Sequence, residues 1–134
     1  MNHPVSRRSL AIGAMALLAV AFGLLTIKEG GSVLLGDAQA RAAAGAYVPF
    51  VLWFNFLAGF AYVLAGVGFW AQRRWAALLA MGIAGGTVLT FAALGLHIVL
   101  GGAFEMRTVA AMALRSAVWL LLAWAAWRRF SASF

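Results

Sequence analysis

Residues 47–100 read YVPFVLWFNFLAGFAYVLAGVGFWAQRRWAALLAMGIAGGTVLTFAALGLHIVL, and this stretch decides the fold. Two apolar runs, 47–71 and 75–100, are parted only by Gln72-Arg73-Arg74. A hydrocarbon core of about 30 Å takes about 20 mostly apolar residues in a helix, so each run can cross a bilayer. A turn of about three residues makes the pair an antiparallel hairpin. Outward from it lie two more apolar runs, 10–27 and 109–127, flanked by Arg7-Arg8 and Arg128-Arg129. The expectation is an all-α, integral membrane four-helix bundle, a single transmembrane domain over residues 1–134.

Composition agrees with this environment. Of 134 residues, 66% are hydrophobic and only 10% charged, too few charges to cover a soluble domain. The net charge of +7 does not point to nucleic acid, because six of the ten basic residues form the three arginine pairs at span ends. That placement sets orientation across a membrane. With the pairs cytoplasmic, both termini are inside, and the 28–46 and 101–108 connections are periplasmic. All three acids, Glu29, Asp37 and Glu105, then fall outside. Trp70, Trp75, Trp124 and Trp127 form an interfacial belt near the arginines, with Tyr47 and Trp53 near the opposite interface. The expected location is a bacterial inner membrane, multi-pass, with the lipid bilayer as first partner.

Ser6-Arg7-Arg8-Ser9-Leu10 resembles a twin-arginine export signal, with Ala38-Gln39-Ala40 as its cleavage site. The apolar run of 18 residues is longer than the 7–15 of a signal core, so a retained first span is expected. Gly30-Gly31 should break the first helix, and residues 37–44, rich in alanine, should form a short helix on the periplasmic surface. Gly101-Gly102 should stop the third span. Gly82-x-x-x-Gly86, Ala19-x-x-x-Gly23 and Ala113-x-x-x-Ala117, with Gly59 and Gly66 one heptad apart, are small-residue patterns expected to pack inside the bundle. Close backbone approach holds helices together in lipid, where the hydrophobic effect contributes little.

The residues able to carry chemistry gather at one end: Lys28, Glu29, Asn55, His97, Glu105, Arg107 and Arg115. Arg115 is the most informative. Seven residues past Thr108, it sits on the order of 10 Å inside its helix. A charge at that depth costs about 2.5–3.5 kcal/mol on insertion scales, so it should face inward and find a partner. Glu29 and Glu105 are the available acids, and Asn55 and His97 the available hydrogen-bonding groups. The plainer reading is that Arg115 snorkels outward or pairs with a glutamate to lock the fourth span onto the first.

Other chemistries are poorly supported. The chain has no cysteine, so it has no thiol redox chemistry or thiolate metal site. One membrane histidine leaves no bis-histidine haem ligation, and His97 with Glu29 and Glu105 or Met106 has no metal-binding spacing. No metal and no catalytic residue are assigned. The glycine pairs lack the lysine and hydroxyl residue of a phosphate loop. Thr87 and Thr90 should bond to carbonyls one turn back. No acid lies deep in any span, which disfavours an exporter of the small multidrug type.

Asn55-Phe56-Leu57-Ala58-Gly59-Phe60-Ala61-Tyr62-Val63-Leu64-Ala65-Gly66-Val67-Gly68-Phe69, followed by Arg73-Arg74-Trp75-Ala76-Ala77-Leu78, resembles the second helix and turn of the DoxX-like membrane proteins. The four-span plan with a long first connection is similar too. Asn55 stands where that family often has an acid. The resemblance covers the middle third of the chain. It implies a small inner-membrane protein working with redox enzymes or quinone-linked oxidation. Two functions are therefore expected: a non-catalytic accessory or interaction subunit of a redox or respiratory assembly, or a periplasm-facing binding or transport protein for a quinone or an anion. The first calls for a membrane protein partner or a homo-oligomer, and the second for a cavity lined by the polar residues above. An enzyme has least support, since no nucleophile or cofactor motif accompanies Glu105 or His97.

Overall fold

A bilayer offers no water to unpaired backbone groups, so long Leu- and Ala-rich segments satisfy them internally as helices. The computed structural model describes residues 7–36 and 38–130, which leaves Ser6 and Asp37 outside the described residues. The described residues form α1 (Arg7–Leu34), α2 (Ala38–Ala44), α3 (Pro49–Trp70), α4 (Arg74–Val99) and α5 (Met106–Phe130). Four of these, α1 from Leu10 onward, α3, α4 and α5, are long and apolar enough to cross a membrane. The seven-residue α2 fills the place expected for the short helix, and none of its residues is buried.

Helix α1 departs from expectation, because Gly30-Gly31 does not break it. Leu35 N–H still bonds to the Gly31 carbonyl at 2.8 Å. The glycine is there for proximity: a Cβ on Gly30 would lie 3.0 Å from Phe56 Cβ. Where neither lipid nor packed protein competes for backbone bonds, glycine's poor helix propensity is overridden. Lys28 and Glu29 therefore lie in the body of α1, with exposed side chains, and do not end it. Likewise α5 starts at Met106, three residues before the apolar run.

Helix α1 packs antiparallel on α3 through glycine. A Cβ on Gly23 would lie 2.7 Å from the Gly59 carbonyl oxygen, and one on Gly66 would meet the Ala16 carbonyl at 3.0 Å. Helix α5 instead meets α3 through large rings. Trp119 is fully buried, with its ring centroid 4.7 Å from Tyr62 and 6.5 Å from Phe69. Phe69 also stacks on Phe130 at 6.2 Å. Gly82-x-x-x-Gly86 does not pack as expected. A Cβ on Gly82 would meet nothing within 4 Å, and only Gly86 faces a neighbour, Phe54. Ala113 and Ala117 are likewise exposed, so these small residues point to the outside of the bundle.

Both short connections end helices the same way. After α4, Gly101 (φ +87°) donates to the Ile98 carbonyl at 3.0 Å and Gly102 to the His97 carbonyl at 2.9 Å. This is a Schellman cap, and it stops the helix at the glycine pair as expected. After α3, Gln72 bonds to Phe69 and Arg73 to Gly68 in the same pattern, but Gln72 holds φ +55°. A side chain in that region costs about 1 kcal/mol or more. Gln72→Gly is expected to stabilise the hairpin by about 0.5–1 kcal/mol, read as a higher midpoint of detergent-induced unfolding. An unchanged or lower midpoint would refute the strain at this cap.

The alternation of helix directions collects Arg73, Arg74, Arg128 and Arg129 at the end of the bundle where α1 begins. Trp70, Trp75, Trp124 and Trp127 are exposed at that end, and the Arg128 guanidinium lies 5.2 Å from the Trp124 ring. Helix α2 and the residues preceding α5 occupy the opposite end.

Candidate functional site: a cavity under α2

At the α2 end, α1 and α5 are not packed backbone to backbone, and the space between them is a cavity of about 510 Å³. Helix α1 contributes Lys28, Glu29, Ser32 and Val33, and α2 contributes Ala40, Ala43 and Ala44. From α3 and the residues before it come Tyr47, Val48, Val51, Leu52 and Asn55. Helix α5 and its approach supply Glu105, Arg107, Thr108, Ala111 and Arg115. Such a volume suits a small organic molecule. Six of the seven residues singled out from the sequence thus line one cavity.

The seventh, His97, is elsewhere. Its Nε2 pairs with the Ala103 carbonyl at 2.9 Å, and its ring meets Phe50 edge-on at 6.0 Å. A Cβ on Gly102 would collide with the imidazole. His97 therefore belongs to the cap of α4, where it covers the turn after its own helix. Sequence depth alone placed it with Asn55 and Arg115, but its direction around the helix separates them. Among the described residues no three His, Asp or Glu side chains come together.

Arg115 is 9% exposed and does not pair with an acid as the sequence suggested. Its Nη1 donates to Thr26 Oγ1 at 2.9 Å and Tyr62 Oη at 3.3 Å. The guanidinium carbon sits 4.8 Å from the Phe22 ring centroid, and this cation–π contact supplies part of the missing counter-charge. Nε is buried with no partner. Of the five N–H donors of a guanidinium, the two on Nη1 are used and the one on Nε is unfilled. Glu29 is exposed on α1, while Glu105 is turned to the backbone. Thr26 and Tyr62 were missed by sequence reading. An apolar span hides a threonine and a tyrosine easily, although each had the depth and polarity to reach Arg115.

Asn55 donates weakly from Nδ2 to Met112 Sδ at 3.5 Å, and its Oδ1 is buried and unpartnered. Met112 precedes Arg115 by less than one turn, while the Arg115 guanidinium reaches Tyr62, about two turns beyond Asn55 along α3. The rest of the lining mixes apolar Val33, Val48, Val51, Leu52 and Ala111 with Ser32, Tyr47 and Thr108.

Helix α2 is tied over this cavity by charged side chains. Arg41 Nε donates to the Val33 carbonyl at 2.8 Å, and Arg107 Nη2 to the Ala43 carbonyl at 2.9 Å. The Ala46 N–H donates to Glu105 Oε1 at 2.9 Å. Gly45, at φ +67°, lies against that carboxylate, and any Cβ there would collide with it. Glu105→Ala should therefore speed hydrogen exchange at the Ala46 amide by about tenfold, the loss of one charge-assisted bond. Exchange in the middle of α4 should not change, and an unaltered Ala46 rate would refute the tie.

Fold and site define a class: an all-helical protein with four membrane-length helices and a polar cavity at one end, floored by a buried guanidinium. No protein-family model matches the chain, and no curated protein or solved structure matches it.

Proposed function

We propose that this protein binds a small anionic molecule in the cavity under α2, from the periplasmic side of a bacterial inner membrane. The observation that carries the reading is Arg115, a buried cation with an unpartnered Nε and no carboxylate partner among the described residues. A desolvated charge of this kind is costly and is retained where an anion completes it. Orientation follows from the arginine pairs: placed in the cytoplasm, they leave α2 along the periplasmic surface with the cavity mouth. A phosphatase fused after Asp37 should be active and one fused after Arg74 silent, and the reverse pattern would overturn the orientation.

The function itself is tested by purifying the protein from its membrane in mild detergent and extracting small molecules for mass spectrometry. A stoichiometric anion should accompany the wild type and be lost from Arg115→Gln, while expression and fold are kept. A second reading, an accessory subunit or homo-oligomer, draws on the outward face of α4, where Gly82 and Gly85 have no neighbour within 4 Å. Recovery of a stoichiometric protein partner and no anion would favour it.

A further inference from the structure

We infer that the groove between α4 and α5 at the arginine end of the bundle holds one acyl chain of an anionic phospholipid, with the head group on Arg128 and the arginines beside it. This site shares no residue with the cavity under α2 and does not rest on the anion-binding reading.

The groove has a volume of about 410 Å³. Its floor is Ala84 and Ala123, both buried, whose small side chains leave a furrow along the helix pair. Gly85 opens it further on the α4 side, since a Cβ there would meet no atom within 4 Å. Met81 forms one bank and Leu120, Trp124 and Trp127 the other, all of them exposed. No charged side chain lines it. On the outside of membrane-length helices such a furrow meets hydrocarbon, and an acyl chain lying in it gains the dispersion contacts that a void would forfeit. Leu120 stands eight residues before Arg128, and Gly85 eleven after Arg74, so the groove reaches about 12–16 Å from the arginine end. That is half of a hydrocarbon core of about 30 Å, the depth of one leaflet and of one acyl chain.

Charge selects the head group. Arg73, Arg74 and Arg128 are exposed at this end. The chain has three acids, Glu29, Asp37 and Glu105, and none belongs to the helix ends that meet here. Arg128 is also tied to the groove, because its guanidinium lies 5.2 Å from the ring centroid of Trp124, which lines it. An anionic phosphate held by Arg128 therefore sits directly over the chain that fills the furrow. Basic residues at the mouth of a gap between membrane helices, beside interfacial tryptophan, suit an anionic lipid head. A second copy of this chain, oriented alike in the same membrane, would instead bring its own arginines to this end and meet like charge.

The test is native mass spectrometry of the full chain released from nanodiscs made of equal phosphatidylglycerol and phosphatidylcholine with matched acyl chains. Wild type should retain one lipid and favour phosphatidylglycerol about tenfold or more, since each basic residue near an anionic head contributes about fivefold. Arg128→Gln should cut that preference about fivefold and leave phosphatidylcholine retention as it was. Gly85→Leu, which places a side chain in the groove, should lower retention of both lipids about fivefold and keep their ratio. Gly95→Leu, equally free of neighbours but outside the groove, should change neither. All three sites are exposed, and near-ultraviolet circular dichroism from buried Trp119 reports that each variant keeps its fold. Equal retention of the two lipids by wild type, an unaltered preference in Arg128→Gln, or wild-type retention by Gly85→Leu would overturn the inference. Loss of the preference in Arg115→Gln would move the lipid to the cavity under α2 and overturn it too. So would a second copy of the chain, or another protein, found in the lipid's place.

Discussion

Replacing Arg115 with methionine is expected to make the empty protein more stable, by about 1–3 kcal/mol, while abolishing anion binding. The sign is the informative part. Methionine matches the length of the arginine stem and can fill the space beside Phe22 and Tyr62 without a charge. A guanidinium some nine residues inside α5 lies about 13 Å from its helix start, deep enough for desolvation to dominate. Its compensation is two charge-assisted hydrogen bonds to neutral hydroxyls, at 2.9 Å and 3.3 Å, and two cation–π contacts, at 4.8 Å to Phe22 and 5.9 Å to Tyr62. Bonds from a charged donor contribute about 1.5–3 kcal/mol each, but Thr26 can turn its hydroxyl to a carbonyl one turn back when Arg115 is gone. Replacing buried charge by a well-packed apolar side chain is commonly neutral or stabilising, by up to about 4 kcal/mol, which sets the sign in the absence of ligand. The measurement is the free energy of unfolding by a denaturing detergent, with and without ligand. A loss of 2 kcal/mol or more in the empty Arg115→Met protein, about what removing a needed buried partner costs, would make Arg115 a structural clamp.

The second large effect is expected at Gly23. Gly23→Leu should cost about 3 kcal/mol or more, the upper range for forcing volume into a packed interface. The neighbours of its Cβ are the Gly59 carbonyl at 2.7 Å, Val63 Cγ2 at 2.7 Å and Tyr62 Cβ at 3.0 Å. A backbone carbonyl cannot swing aside as a side chain can, so α1 must move away from α3 as a unit. That movement would carry Thr26 off Arg115 and widen the cavity, so unfolding free energy and ligand affinity should fall together. Gly82→Leu is the control: with no atom within 4 Å of its Cβ, it should leave stability within about 0.5 kcal/mol. A Gly23→Leu protein as stable as the Gly82→Leu protein would refute the close α1–α3 contact.

These two predictions separate what could be read along the chain from what could not. Gly82-x-x-x-Gly86 and Ala19-x-x-x-Gly23 look alike as patterns, yet Gly23 is pressed against Gly59 and Gly82 faces outward. Spacing shows that a helix has a small-residue face. It does not say which neighbour, if any, arrives there. Gly30-Gly31 makes the same point. Read as a helix stop, it is a contact with Phe56, because a turn signal in water becomes a packing signal where backbone bonds have no competitor. Gly101-Gly102, outside the apolar run, behaves as turn chemistry predicts.

Four membrane-length helices, the hairpin at Arg73-Arg74, the short helix before Pro49 and the clustering of polar residues at one end were all legible along the chain. Each of these depends on hydropathy, length and turn chemistry, which act locally and survive without knowledge of partners. It took the packed bundle to show that Arg115 meets Thr26 and Tyr62 and no glutamate, that Asn55 lines the same cavity, and that His97 turns away to cap its own helix. Those outcomes depend on which face of each helix meets which neighbour. In lipid that choice is made by steric fit between distant helices, and a one-dimensional pattern of polarity carries little of that information.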